Sequence, residues 1–224
     1  KKQYGFSVKV EHSGYNHLFT EIMKTGSVEP IELENFDFEN DLALLQYTGG
    51  TTGFPKGVML THKNLVANTK MCHAWLSKTV DGEETILGML PFFHVYGMTT
   101  VLIMSIMTRN KMVLIPKFDV DLALKTIDKQ KPTLFPGAPT MYIGLLNHPD
   151  IQKYDLSSIK ACLSGSAPLP VEIQEKFEVI TGGKLVEGYG LTETSPVTHA
   201  NFIWGDRVSG SIGVPWPDTE SVIL

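Results

Sequence analysis

Leu42-Ala-Leu-Leu-Gln-Tyr47 runs without a break into Thr48-Gly-Gly-Thr-Thr-Gly-Phe-Pro-Lys-Gly57, and this junction decides how the chain is read. The first six residues are a short apolar run, as expected of a strand covered on both faces. In the second stretch, Lys56 is the only charged residue between Asp41 and His62. Gly49, Gly50, Gly53 and Gly57 let the backbone approach an anion and aim N–H groups at it. The hydroxyls of Thr48, Thr51 and Thr52 add donors and can offer oxygen to Mg²⁺, and Lys56 supplies a point charge. Neither common nucleotide fingerprint is present. A Walker loop places Ser or Thr directly after its lysine, where Gly57 stands here, and GxGxxG is missing.

From this junction onward, short apolar runs alternate with helical periods. Strands are expected at Leu42–Tyr47, Thr85–Leu90, Lys111–Ile115, Thr133–Phe135, Ile159–Leu163 and Lys184–Glu187. Helices are expected from His62 to about Leu76 with Thr61 as cap, and over Val95–Met107 as a mostly buried helix. Others follow around Leu124 and Ile127 with Asp119 or Asp121 as cap, at Thr140–Asn147, and at Val171–Ile180, where Ile173, Phe177 and Ile180 share a face. Sustained strand–helix alternation predicts an α/β fold with a mostly parallel sheet. Ligands of such sheets sit beyond the carboxyl ends of the strands, so the site should be built from strand-to-helix loops. Residues 1–40 read as a partial N-terminal segment: a short strand at Ser7–Val10, a helical turn or two at Tyr15–Met23, and an acidic linker ending at Asn40-Asp41. Residues 41–224 read as the binding core.

Composition sets the outer limits. With 42% hydrophobic residues in 224, the chain can bury a sizeable core and is not a disordered sequence. Its net charge of −5 and only two arginines, Arg109 and Arg207, argue against a nucleic-acid partner, so any phosphate must be held by local geometry. Cys72 and Cys162 form neither a disulfide framework nor a zinc motif, which points to a reducing, cytoplasmic setting. The longest apolar run, Val95–Met107, is too short to span a bilayer, and Lys1-Lys2-Gln3 does not open a signal peptide. The missing initiating Met and the closing Glu220-Ser-Val-Ile-Leu224 read like a piece of something longer.

Three more loops carry chemistry. Leu90-Pro-Phe-Phe-His-Val-Tyr-Gly-Met98 presents His94, which on its own is as readily a packed histidine at a helix start. Leu163-Ser-Gly-Ser-Ala-Pro-Leu-Pro170 is not a Gly-x-Ser-x-Gly elbow, so Ser164 and Ser166 are not read as nucleophiles; Ser166 reads equally as a cap of the following helix with proline in its first turn, which is compatible with a binding role. Glu187-Gly-Tyr-Gly-Leu-Thr-Glu-Thr-Ser-Pro196 sets Tyr189 between two glycines as a bare face for a nucleobase. Thr192 is a donor for a phosphate oxygen, and Glu193 a hard oxygen ligand for Mg²⁺.

The ungapped run Tyr47–Gly57 closely resembles the phosphate loop of the adenylate-forming enzymes: acyl-CoA synthetases, insect luciferases and peptide-synthetase adenylation domains. Tyr189-Gly-Leu-Thr-Glu193, the Pro-x-Phe-His stretch ending at His94, Gly165-Ser-Ala167 and the tail Gly210-Ser-Ile-Gly-Val-Pro-Trp-Pro217 match the same family, so the resemblance runs from about Asp41 onward. It implies part of the layered N-terminal domain of those enzymes. It also implies that Thr48–Gly53, Lys56 and Gly57 hold the β- and γ-phosphates of ATP, with Thr51 and Glu193 as Mg²⁺ ligands. Gly165, Ser166, Ala167, Glu187, Gly188, Tyr189, Gly190 and Thr192 would lie around AMP. His94, Val95, Gly97 and Gly190 would wall the acyl pocket, and Lys56, His94, Thr192 and Glu193 would carry the catalysis.

Within the family, Phe135-Pro-Gly-Ala-Pro-Thr-Met-Tyr142 with Leu145-Leu-Asn-His-Pro149 is similar to bacterial long-chain fatty-acid–CoA ligases. The resemblance then implies ATP, a fatty acid and coenzyme A as ligands, with Mg²⁺ as cofactor. Amino-acid-activating relatives place an aspartate near Phe92, Phe93 and Val95; none stands here, and an unpaired buried ammonium would be costly, which favours a plain carboxylic acid. An aryl-acid or amino-acid adenylating domain, and a non-catalytic nucleotide-binding fragment, stay open beside this reading. Homodimerisation and peripheral membrane association are also left open. The family's ribose-binding aspartate, its hinge and the lysine of its C-terminal domain would fall beyond residue 224, so the chain by itself is expected to be catalytically incomplete.

Overall fold

The structure, a computed structural model, describes residues 19–26, 35–49 and 54–222. The expected strand at Ser7–Val10 lies outside them. Two compact units divide at Phe36/Asp37. The described part of the first includes the short helix α1 (Phe19–Thr25), which overlaps the expected helical stretch Tyr15–Met23 and runs two residues past it.

The second unit opens with β1 (Leu42–Thr48) and β2 (Lys56–Thr61), an antiparallel hairpin with Tyr47 opposite Gly57 and Thr48 opposite Lys56. This corrects the expectation that every loop of the site runs from a strand to a helix. The loop joins two strands. β2 is short and alternates: Met59 is exposed while Leu60 is buried, the period-two pattern of a strand with one covered face. Thr61 ends β2 and also caps α2 (His62–Trp75): its hydroxyl accepts from the Asn64 N–H at 3.3 Å while Asn64 Oδ1 accepts from the Thr61 N–H at 2.9 Å. This is a reciprocal cap with Asn in the usual Glu position.

β3 (Thr85–Gly88) pairs in parallel with β4 (Lys111–Leu114). Between them α3 (Val95–Gly97) and α4 (Met104–Thr108) flank a π-helical stretch over Met98–Ile103, in place of the one continuous helix expected. β5 (Ala161–Ser164) pairs in parallel with the first half of β6 (Lys184–Gly190). The expected strand Thr133–Phe135 is reduced to parallel bridges through Leu134, to Ile86 on one side and Ala161 on the other. It lies between Pro132 and Pro136, which have no N–H to extend a ladder, yet it still joins the two parallel pairs. The second half of β6 turns antiparallel to β7 (Val197–Ala200), which pairs with β8 (Val214–Pro215). The centre is parallel and the far edge antiparallel.

α5 (Val120–Gln130) is capped by Asp119, whose carboxylate accepts from the Leu122 N–H at 2.9 Å. α6 (Pro139–Leu146) and α7 (Val171–Thr181) complete one layer. Ser166 does not cap α7: Pro170 holds that position and Ser166 has φ 72°. The physical reason is the pair Pro168 and Pro170, because the residue before a proline is pushed out of the helical region and the helix cannot start until Val171. Beneath α5–α7, a buried cluster centres on Phe135, Tyr142 and Phe177, with ring centroids 4.9–6.3 Å apart. A second cluster, around Ile86, Val101, Met104, Val186 and Trp216, packs beneath α2 and the π-helical stretch.

Candidate functional site

Three parallel segments of the sheet end at the same edge, and the loops leaving that edge, together with the end of the separate β1–β2 hairpin, enclose an open cleft of about 510 Å³. The hairpin end supplies Thr48, Gly49 and Lys56; the turn into α3 supplies His94, Val95 and Tyr96; the turn after β5 supplies Gly165 and Ser166; the end of β6 and the following turn supply Gly188, Tyr189, Gly190, Thr192 and Glu193. Lys56 and Glu193, far apart in sequence, line one cavity.

The walls have identifiable causes. His94 caps α3, its Nδ1 accepting from the Tyr96 N–H at 3.2 Å. Tyr96 is buried, and its hydroxyl donates to the Leu163 carbonyl at 2.6 Å, tying α3 to the end of β5. Its ring lies beneath Gly165, where a Cβ would sit 3.1 Å from Tyr96 Cε1. Tyr189 is 45% exposed and is braced at its edge by His199, the residue opposite it in the β6–β7 register, with centroids 6.4 Å apart. The turn Thr192–Thr194 closes on itself: the Thr194 hydroxyl accepts from the Leu191 N–H at 3.0 Å and also bonds the Pro196 carbonyl.

Other residues singled out in the sequence fall elsewhere. Gly50, Thr51, Thr52 and Gly53 lie outside the described residues. Gly57, Ala167 and Glu187 are not among the cleft-lining residues. Gly57 sits beneath Leu45, where a Cβ would meet Leu45 Cδ1 at 3.2 Å. Gly97 does not line the cleft either. A Cβ there would stand 2.7 Å from the Pro91 carbonyl oxygen, so this glycine serves the close packing of α3 on the preceding turn. Phe93 is 81% exposed and Phe92 packs into the core, so neither forms a cleft wall. His199 is not evident from the sequence; its register opposite Tyr189 is set by a strand pairing that no short motif announces.

Among the described residues, Glu193 is the only carboxylate lining the cleft, and no group of three or more metal-ligating side chains occurs. A magnesium ion suits such a site: it takes one or two protein carboxylates and completes its shell with water and phosphate oxygens. A dedicated all-protein metal cage is not what these residues make.

An α/β domain whose loops bring one lysine, a bare aromatic face and one carboxylate around a single cleft has a layout that suits a nucleotide. The chain belongs to the AMP-binding enzyme family, whose pattern it matches over residues 11–224. It is 63% identical over 207 residues to a long-chain-fatty-acid–CoA ligase of Bacillus subtilis (strain 168), covering 92% of this chain and 37% of that protein. It is 37% identical over 184 residues to a probable 4-coumarate–CoA ligase 2 of Dictyostelium discoideum, covering 81% of this chain and 33% of the relative. Among solved structures, a long-chain-fatty-acid-CoA ligase (FadD1) from Archaeoglobus fulgidus superposes with TM-score 0.74 at 30% identity, over 88% of this chain and 40% of that one. Apo MatB from Rhodopseudomonas palustris gives TM-score 0.75 at 30% identity, over 88% and 38%. The chain thus spans about a third of the length of the curated relatives it matches. Among the described residues no helix is long and apolar enough to cross a membrane.

Proposed function

We propose that the chain carries the ATP- and acid-binding part of a long-chain fatty-acid–CoA ligase, which activates a fatty acid as its acyl-adenylate and passes it to coenzyme A. The observation that carries this reading is the convergence of Lys56, Thr192 and Glu193 on one cleft beside Tyr189 and His94. The adenine lies against the Tyr189 ring and the Gly165–Ser166 turn. Thr192 donates to the α-phosphate, and Lys56 with the Thr48–Gly49 backbone holds the β- and γ-phosphates, joined by Thr51 from the same loop. Magnesium would be held by Glu193, with Thr51 as the second ligand that the family resemblance implies, and would neutralise charge at the phosphates. The acid enters past His94, Val95 and Gly190.

The reaction follows from this placement. A carboxylate oxygen attacks the α-phosphorus, the bond to the bridging oxygen breaks, and pyrophosphate leaves toward Lys56. Little covalent chemistry falls to the protein, which positions the reactants and neutralises the charge of the leaving group. In the second half-reaction the thiol of coenzyme A attacks the acyl carbon, forming a thioester and releasing AMP with loss of the thiol proton. Both cysteines are buried and unpaired, in keeping with a cytoplasmic enzyme.

Equilibrium titration of the chain with Mg·ATP tests the nucleotide site. Binding is expected, and Lys56→Ala is expected to weaken it by about ten- to a hundredfold, the range for loss of a charge-assisted hydrogen bond. Melting temperature should stay unchanged, because Lys56 is exposed. Absence of Mg·ATP binding by the wild type refutes the reading. A second reading, an aryl acid as substrate, is favoured by the 4-coumarate–CoA ligase relatives. It would show as a larger gain in Mg·ATP affinity with an aryl acid than with a C16 fatty acid.

A further inference from the structure

Asn68 lies in the second turn of α2 and is not among the residues lining the cleft. It is 4% exposed, and its carboxamide copies the edge of a strand. Nδ2 donates to the Val197 carbonyl at 2.7 Å while Oδ1 accepts from the Val197 N–H at 3.1 Å. Nδ2 also lies 3.5 Å from the Thr194 carbonyl oxygen. From the neighbouring π-helical stretch, the buried Thr99 hydroxyl donates to the Ser195 carbonyl at 3.2 Å. Two buried side chains from two helices thus grip residues 194–197, immediately after the turn that presents Thr192 and Glu193.

The same helix is fixed to the other half of the cleft. Thr61 is at once the last residue of β2, the strand that begins with Lys56, and the cap of α2. From Thr61 to Asn68 is about 10 Å of helix, two turns without a joint. β2 also packs directly on the Thr192–Thr194 turn. We propose that Asn68 is a positioning residue that sets the Thr192–Glu193 turn in register with the Lys56 hairpin, so that both engage one triphosphate. This rests on the nucleotide-site reading above.

The register matters only to a ligand that reaches both halves. Mg·ATP does so; AMP, held by the Tyr189 side, does not extend to Lys56. Asn68→Ala and Thr99→Val are compared with wild type by titration calorimetry against Mg·ATP and against AMP. Asn68→Ala is expected to weaken Mg·ATP about tenfold while AMP changes less than about twofold, the scale of one or two lost buried hydrogen bonds. Thr99→Val should shift the same ratio in the same direction by a smaller factor. Glu193→Gln should cost less Mg·ATP affinity in the Asn68→Ala background than alone, because coupled residues are not additive. A folded Asn68→Ala protein whose losses are equal for the two nucleotides, or absent, overturns the proposal. If Asn68→Ala does not fold, an unchanged ratio in Thr99→Val overturns it. A wild type that binds AMP but not Mg·ATP sinks both readings together, whereas normal wild-type binding with an unchanged ratio in the variants sinks this one alone.

Discussion

Replacing Lys160 by methionine isolates one buried charge. Glu84 is 1% exposed at the entry to β3, and both its oxygens bond the Lys160 ammonium, at 2.9 and 3.1 Å. Burial pushes the Glu84 carboxyl up, but hydrogen bonds with Thr133 and Lys160, together with the Lys160 charge, outweigh it and hold the group below the ordinary carboxylate value. Methionine keeps the length of the side chain and removes the charge. Breaking a buried pair costs about 3–5 kcal/mol. Lys160 is half exposed, so its end of the pair is partly screened and the lower figure of about 3 kcal/mol applies. For a unit of this size that is a fall in melting temperature of about 6–12 °C. The pH dependence follows from the sign of the shift. In the wild type the depressed carboxyl contributes stability above its unfolded pKa of about 4.3, and this is lost as the pH falls through the folded value. In Lys160→Met, Glu84 stays buried without its cation and takes up a proton more readily. The difference between the two proteins should therefore be largest at pH 7.5 and shrink toward pH 4.5. Thermal melts followed by circular dichroism at both values measure it, and Glu84→Gln with Lys160→Met together should recover more than half of the loss. A fall under about 2 °C at pH 7.5, or the same fall at both pH values, would show that Lys160 does not stabilise the buried Glu84 carboxylate, since a buried carboxylate stripped of its partner costs several times more than so small a change allows.

Gly190→Ala should abolish Mg·ATP binding and cost about 3 kcal/mol, the upper end for forced overpacking; a Cβ at this position would lie 2.1 Å from the Pro196 carbonyl oxygen, and urea unfolding with calorimetry measures both effects. Tyr189→Ala should weaken AMP binding by about 1–3 kcal/mol while Tyr189→Phe keeps it, as expected if the ring face rather than the hydroxyl holds the base. Glu178 is pushed up by burial, but the fork of hydrogen bonds from Arg207, the Leu185 N–H and the nearby charges bring it below the ordinary carboxylate value. Its stabilising contribution is thus present above about pH 4.3 and lost on acidification below it; Arg207→Gln should flatten this acid limb in a pH series of melts.

The parts of the site legible in the sequence are those whose chemistry is local. The loop's one lysine and the Gly-Tyr-Gly and Thr-Glu pair at 188–193 stand out by residue type alone, and Lys56, Tyr189 and Glu193 do line one cleft. The central strands are legible too, because strands covered on both faces read as apolar runs, and Thr61 and Asp119 cap α2 and α5 as their types require. What local chemistry does not encode reads less well. β2 has one covered face and six residues, too few for its alternation to stand out. The segment through Leu134 bonds to strands on both sides but is hemmed by two prolines that keep it from registering as a strand.

The glycines make the same point more sharply. Gly49 lines the cleft, while Gly97 and Gly190 are required by backbone approaching them from elsewhere, at 2.7 and 2.1 Å from a hypothetical Cβ. In the sequence all three are the same letter in a suggestive loop, and only the partner across space tells a glycine that admits a ligand from one that admits a neighbouring chain. Gly190 does both, lining the cleft with one face while the Pro196 carbonyl occupies the other. Asn68 lies at the far end of this scale: its partner is 129 residues away, and its role is fixed entirely by what it touches. A site of this kind is therefore specified twice, once by residues whose chemistry is written in the loop and once by buried polar groups that hold the loops to a common origin. The second set is where substitutions should change affinity for the whole nucleotide without touching it.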